Sequence, residues 1–182
     1  MEKTLQGNSR MEGRITQLTL ARGMVWGMMG GLVGTLVMDL VLVGVLSAVG
    51  LPALACFSIV GNTVARFFSI SGIEMVGGVS LGMATHYLVG PMVGAIFGVI
   101  VTRVAALRVD SVKKGVLFAV VYIEILSQPI LATTPILLNM TLPETLQWYS
   151  GSFVMHFIWG IVLGLVMYYG LGLATAVKPG RS

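Results

Sequence analysis

Lysine and arginine residues are distributed unevenly among the segments that separate four long apolar stretches of this 182-residue chain. This pattern constrains the fold more than any other feature. The stretches cover residues 24–49, 79–101, 116–138 and 153–175, each long enough for a membrane-spanning helix of about 20 residues. Ten of the eleven lysines and arginines lie before the first stretch, between the second and third, or after the fourth. Only Arg66 lies in the other two connections. Because cytoplasmic segments carry an excess of Lys and Arg, the pattern predicts a multi-pass cell-membrane protein with both termini in the cytoplasm.

The composition agrees with lipid as the solvent. The chain is 56% hydrophobic and 10% charged, which leaves too little polar surface to cover a water-soluble globule. The net charge of +4 does not indicate nucleic-acid binding, because no basic run with interleaved aromatic residues is present. The cations lie beside predicted helix ends, where anionic headgroups attract them. The single cysteine, Cys56, excludes an internal disulfide and a cysteine-based zinc or iron–sulfur site.

The polar segments are predicted to be tails and connections. Residues 1–23 and 176–182 are cytoplasmic tails in this interpretation, the first either frayed or a short helix on the inner surface. The outer connection at residues 50–78 is long and mixes apolar with polar positions, which favours an interfacial or re-entrant helix over an ordered loop. The second outer loop, residues 139–152, contains Trp148, which is typical of an interfacial anchor at the start of the fourth helix.

The second and fourth predicted helices share one histidine followed by a stripe of glycines. The members are spaced by four residues and therefore lie on one helix face: His86, Gly90, Gly94 and Gly98, and then His156, Gly160 and Gly164. The first and third helices match more loosely, each with one acid inside the membrane, Asp39 and Glu124. The pattern predicts an all-α, four-helix membrane bundle of two related hairpins, with the halves related by an axis along the membrane normal.

These paired His-aromatic-aliphatic-x-Gly segments, at residues 86–90 and 156–160, follow a glycine-rich first span. Together with the four-helix length, they resemble an uncharacterised family of small prokaryotic membrane proteins. The resemblance covers most of residues 24–175. It implies the same membrane fold, and it carries no established activity to transfer.

Ionisable groups inside a bilayer cost about 2.5 to 3.5 kcal/mol on insertion scales, so they are expected to face the bundle and find partners. At about 1.5 Å per residue, Asp39 lies about 15 Å below the outer end of its helix and His86 about 10 Å below that surface. His156 lies nearer the surface, Glu124 lies deeper, and Gln128 is level with Asp39. A polar column of these five residues is one interpretation, and neutral or hydrogen-bonded packing residues are the alternative.

Three functional hypotheses follow, and the leading one is an accessory or structural subunit of a larger membrane assembly. Small-residue stripes exceed what one small bundle needs, so spare stripes would dock onto other membrane subunits or a second copy. The predicted helix-packing glycines are Gly27, Gly30, Gly31, Gly34, Gly90, Gly94, Gly98, Gly160 and Gly164.

The second hypothesis is a small proton-linked transporter or channel acting as an oligomer. In it Asp39 and Glu124 exchange protons, and His86 and His156 relay them. An oligomer is expected because the chain is short for a carrier acting alone.

The third hypothesis is b-type haem held by His86 and His156, since histidine is a common axial ligand. Against it, glycine faces imply closely packed backbones that an intervening porphyrin would separate. No other metal site is expected, because a third ligand is lacking unless Asp39 reaches the histidines. The sequence lacks a phosphate-binding loop, a nucleophile elbow and a zinc-protease helix, and therefore predicts a non-catalytic protein.

Overall fold

Five α-helices and one short 3-10 turn make up the protein in a computed structural model that describes the backbone of residues 2–176 and the side chains of residues 20–172. The helices are α1 (Glu2–Ala48), α2 (Ala55–Ser69), α3 (Val79–Arg103), α4 (Val112–Leu137) and α5 (Leu142–Ala176), and the 3-10 turn is Ala105–Leu107. Within the described backbone there is no β-strand, so the predicted all-α class is confirmed. Apart from Ala176, the predicted C-terminal tail lies outside the described residues.

Four of these helices are long and apolar enough to cross a membrane. The apolar parts are Leu20–Ala48, Val79–Arg103, Val112–Leu137 and Leu142–Gly172, with mean hydropathies between 1.7 and 2.1. Large apolar side chains cover their outer surface, among them Leu40, Leu88 and Ile125, each about 70% exposed. Such a surface suits hydrocarbon as the solvent, because lipid removes the cost of exposing it.

Two helix boundaries differ from those predicted. α1 begins at Glu2 and not near residue 24, and no proline between residues 2 and 48 interrupts this continuous helix. α5 begins at Leu142, so most of the predicted loop at residues 139–152 is helical. Glu144 caps the start of the helix: one of its carboxylate oxygens accepts hydrogen bonds from the backbone N–H and the hydroxyl of Thr141, both at 2.7 Å, which is the glutamate half of a capping box.

α1 and α3 pack backbone against backbone through two antiparallel rows of glycine. Gly23, Gly27 and Gly31 on α1 each face the carbonyl oxygen of an α3 glycine, which is Gly98, Gly94 and Gly90 in that order. A Cβ atom added at any of the three α1 positions would overlap that carbonyl. Small residues of this kind let membrane helices approach closely enough for extensive van der Waals contact.

α5 completes the bundle by packing on α1 and α4. Gly30 and Gly34 of α1 face side chains of α5, and Gly160 and Gly164 of α5 face the backbone of α4. The Tyr122 hydroxyl of α4 donates a hydrogen bond to the Val93 carbonyl of α3 at 3.0 Å, which joins these two helices. The buried apolar core between the helices consists of Met38, Val93, Phe97, Val101, Ala119, Ile123, Trp159, Leu163 and Met167.

A single methyl group tests the close approach of α1 and α3. We expect Gly27→Ala to lower the free energy of unfolding in detergent by about 1 to 3 kcal/mol, because the carbonyl of Gly94 cannot move aside without displacing α3. Gly44→Ala on the same helix is the matched control, since nothing lies within 4 Å of its added Cβ, and its helix propensity should stabilise by up to about 1 kcal/mol. Equal effects of the two substitutions on thermal unfolding would contradict this packing.

Candidate functional site

A buried acid and a histidine meet at one end of the α1–α3 glycine contact. The Oδ1 atom of Asp39 and the Nδ1 atom of His86 lie 3.0 Å apart, and their side chains are 6% and 15% exposed. Asp39 lies two helical turns beyond Gly31, and His86 lies one turn before Gly90, so the glycine rows lead directly to the pair. The short aspartate side chain reaches the imidazole because the two backbones are already close.

A polar layer below the pair ties it to α5. The buried Thr35 hydroxyl donates a hydrogen bond to the Gly31 carbonyl at 2.9 Å and accepts one from the Trp159 indole N–H at 3.2 Å. Neither Thr35 nor Trp159 is among the residues that the sequence predicted. Spacing is the signal that could have found Thr35, because it falls midway between Gly31 and Asp39 on the same face of α1.

α2 covers the pair on its other side. The buried ring of Phe57 contacts the His86 imidazole edge-on, with 5.2 Å between ring centroids. The Thr63 and Thr134 hydroxyls lie 3.3 Å apart and connect α2 to α4. The connection at residues 50–78 therefore contains a packed helix, whereas its placement as an interfacial or re-entrant element stays a prediction.

The pair retains capacity for a further proton or ligand. The Oδ2 atom of Asp39 is buried and has no hydrogen-bond partner among the described residues, and the same holds for Nδ1 of His156. Tyr87 and Cys56 lie close enough to Asp39 to interact with its carboxylate, and Tyr87 does so through a side-chain hydrogen bond as well as electrostatically. Among side chains 20–172, no three His, Cys, Asp or Glu residues are grouped so that they could hold a metal ion.

The other two candidate residues lie on α4 and do not join this pair. Both carboxylate oxygens of Glu124 are buried without a hydrogen-bond partner among the described residues. The α4–α5 register, in which Gly160 faces Val120, brings Glu124 to the level of His156 one turn further on, yet no hydrogen bond joins the two. Gln128 is exposed and donates to the Glu124 backbone carbonyl at 3.0 Å. Gln128 therefore does not contribute to the polar column of five residues that the sequence predicts.

The glycine faces of α3 and α5 do not face each other. The α3 glycines pack on α1, and the α5 glycines pack on α4. The sequence-based objection to haem is that these glycine faces imply closely packed backbones around the two histidines. The close packing joins α3 to α1 and α5 to α4, and it does not join α3 to α5, the two helices that carry the histidines. Haem ligation by His86 and His156 stays a prediction.

Comparison with protein-family models, with curated proteins and with solved structures gives no match to this chain. The four membrane-length helices define the class as an α-helical protein suited to a membrane. The resemblance to a family of small prokaryotic membrane proteins stays a prediction.

Cys56, the single cysteine, lies in α2, outside the four predicted membrane spans, and its reactivity can be used to probe this site. Burial, and secondarily the neighbouring Asp39 carboxylate, raise the pKa of the Cys56 thiol to about 11. Since the thiolate is the nucleophile, alkylation of Cys56 by a small thiol reagent should accelerate up to about pH 11, whereas an ordinary thiol levels off above about pH 8.5.

Replacing Asp39 by asparagine should shift this profile to lower pH, because one cause of the raised thiol pKa is removed. Asp110→Asn is the control, because Asp110 is exposed beside Lys114 and is not among the groups that affect the thiol. An alkylation profile that levels off near pH 8.5 in the unmodified protein would refute the burial of Cys56.

Proposed function

We propose that this chain is a non-catalytic, multi-pass integral membrane protein that carries protons through the Asp39–His86 pair and acts as an oligomer. The single observation that supports the proposal is a buried carboxylate 3.0 Å from an imidazole within membrane-length helices. Ionisable groups at such positions are rare and commonly belong to ion or proton pathways. Among ordinary side chains, histidine is the one that changes charge near neutral pH.

A carboxyl and an imidazole in contact can hold one or two protons. With one proton the pair has no net charge, and the form in which both groups are neutral costs less in hydrocarbon than the form with a carboxylate and an imidazolium. A second proton gives a neutral acid beside an imidazolium, and the unpartnered Oδ2 atom of Asp39 offers a place to receive it. This capacity supports a role of the pair in proton uptake and release.

Glu124 and His156 supply a second stage in this proposal. Each has buried polar atoms without a partner in the described side chains. The Trp159–Thr35 hydrogen bond joins α5 to α1 one helical turn from His156 and from Asp39, so the two residues lie at about the same level of the bundle. In this proposal, a proton that leaves the Asp39–His86 pair passes to His156. Glu124 lies at the same level on α4 and is the next acceptor in this path.

The proposal includes two related hairpins in a cell membrane, with both termini cytoplasmic. The uneven distribution of lysine and arginine supports the orientation. The repeat is supported by the matching order in each half: an acid on the first helix, a histidine on the second, and glycine contacts below them. A relation by an axis along the membrane normal fits this order.

The accessory-subunit hypothesis depends on small-residue stripes that are not used in packing within the chain, and the structure does not provide such stripes among the nine predicted glycines. At all nine of its glycines, atoms of a neighbouring helix of the same chain lie within 4 Å of the position that a Cβ would occupy, so none of them is spare for docking. The hypothesis stays a prediction. Purification in mild detergent would favour it over the carrier if a different membrane protein were recovered in fixed stoichiometry.

Proton flux tests the carrier. We expect purified protein in liposomes containing a pH-sensitive dye to give potential-driven proton flux, and Asp39→Asn to reduce it at least tenfold, because asparagine keeps the polar contact to His86 but does not titrate. His86→Gln should act in the same direction. Asp110→Asn, at an exposed acid paired with Lys114, should leave the flux unchanged.

Two outcomes of this measurement would contradict the carrier. One is flux no greater than that of empty liposomes for the folded wild-type protein. The other is wild-type flux from Asp39→Asn that elutes and melts as the wild type does.

Orientation is tested by cysteine labelling on a Cys56→Ala background. We expect Arg108→Cys, in the connection between α3 and α4, to react with an impermeant reagent only from the cytoplasmic side of membrane vesicles. Thr145→Cys, near the start of α5, should react only from the opposite side. Labelling of both positions from one compartment would overturn the four-span arrangement.

A further inference from the structure

A groove runs along the outer face of the bundle between α4 and α5. It has a volume of about 440 Å³ and is lined by Val112, Lys113, Val116, Leu117, Val120 and Phe157. Five of these six side chains are apolar, and the cation Lys113 is the exception. The groove lies within two membrane-length helices, so its surroundings are lipid if those helices cross a bilayer.

Lys113 lies at one end of the groove and lines it through the aliphatic part of its side chain, and the rest of the lining is apolar. Lys113 is in the first turn of α4, and Leu117 and Val120 follow on the same face at spacings of four and three residues. From Lys113 to Val120 the groove extends about 10 Å along the helix at about 1.5 Å per residue. A ligand that fits it therefore combines a negatively charged group at the helix end with an apolar chain that runs toward the middle of the bilayer.

Lys113 is available for such a ligand, whereas its neighbour is not. The Lys114 ammonium lies 2.6 Å from the Asp110 carboxylate, and this hydrogen bond holds the pKa of Asp110 below its usual range. Lys113 is exposed and has no ion pair within the described part of the chain. Ser111 caps the same helix end by accepting a hydrogen bond from the Lys114 backbone N–H. One unpaired positive charge therefore marks the mouth of an apolar groove.

We propose that this groove binds an anionic phospholipid, with the phosphate on Lys113 and one acyl chain along Val116, Leu117, Val120 and Phe157. Charge complementarity decides the occupant, because a basic residue beside membrane helices attracts anionic headgroups. The apolar lining matches an acyl chain and offers no partner to a polar molecule. This site is separate from the Asp39–His86 pair and does not depend on proton transport.

Thermal stability in detergent tests the site on the full-length protein. Added phosphatidylglycerol should raise the melting temperature more than phosphatidylcholine of the same chains, and native mass spectrometry should show the anionic lipid retained. Lys113→Ala should weaken phosphatidylglycerol binding about fivefold, in line with the usual contribution of one surface cation. Lys114→Ala is the matched control and should bind as the wild type does.

A second substitution tests the apolar body. Leu117→Trp fills the groove from an exposed position that is 57% accessible, so it should abolish the lipid-dependent shift without lowering the melting temperature in detergent alone. Soluble glycerol phosphate should produce no shift, because it lacks the acyl chain. The proposal is overturned if the two lipids stabilise equally, if Lys113→Ala and Lys114→Ala bind alike, or if glycerol phosphate reproduces the effect.

Discussion

The close contact of the α1 and α3 backbones is the constraint on which the candidate site depends. Glycine carbonyls and Cα atoms meet where other membrane helices interpose side chains. The contact fixes both the distance and the rotation of the two helices, and at that distance a short aspartate reaches the imidazole of His86. A longer acid on more widely spaced helices could also make a pair. It would add rotamer freedom, and the buried carboxylate would be held less rigidly.

Much of this site could be predicted from the sequence, but its pairing could not. The apolar stretches identified the helices, and the cost of a charge in hydrocarbon identified Asp39 and His86 as inward-facing. Which acid meets which histidine depends on which helices are neighbours, and a repeated glycine motif on α3 and α5 does not reveal that these faces turn to α1 and α4. The regular spacing from Gly23 to Asp39 contains that information, because it continues one stripe from packing residues to a polar residue.

Hydropathy also misplaced the start of α5, for a local reason. Polar residues in the segment 139–152 lower the mean hydropathy, although Thr141 and Glu144 form a helix cap that starts the helix there. The sequence predicts an interfacial anchor at Trp148. Its indole N–H donates to the Leu131 carbonyl at 3.2 Å, a group whose helical donor is missing because residue 135 is proline. The aromatic residue thus satisfies a backbone group that α4 leaves unpaired.

The α1–α3 and α4–α5 contacts share a residue pattern but differ in what each glycine meets. Gly31 of α1 faces the carbonyl of Gly90, whereas Gly160 of α5 faces the backbone and side chain of Val120. Asp39 reaches His86 across the first contact, but Glu124 and His156 have no such pairing across the second among the described residues. In the proposed carrier, the α1–α3 contact therefore holds a shared proton between two partners. The α4–α5 contact presents unpartnered acceptors to which that proton can move.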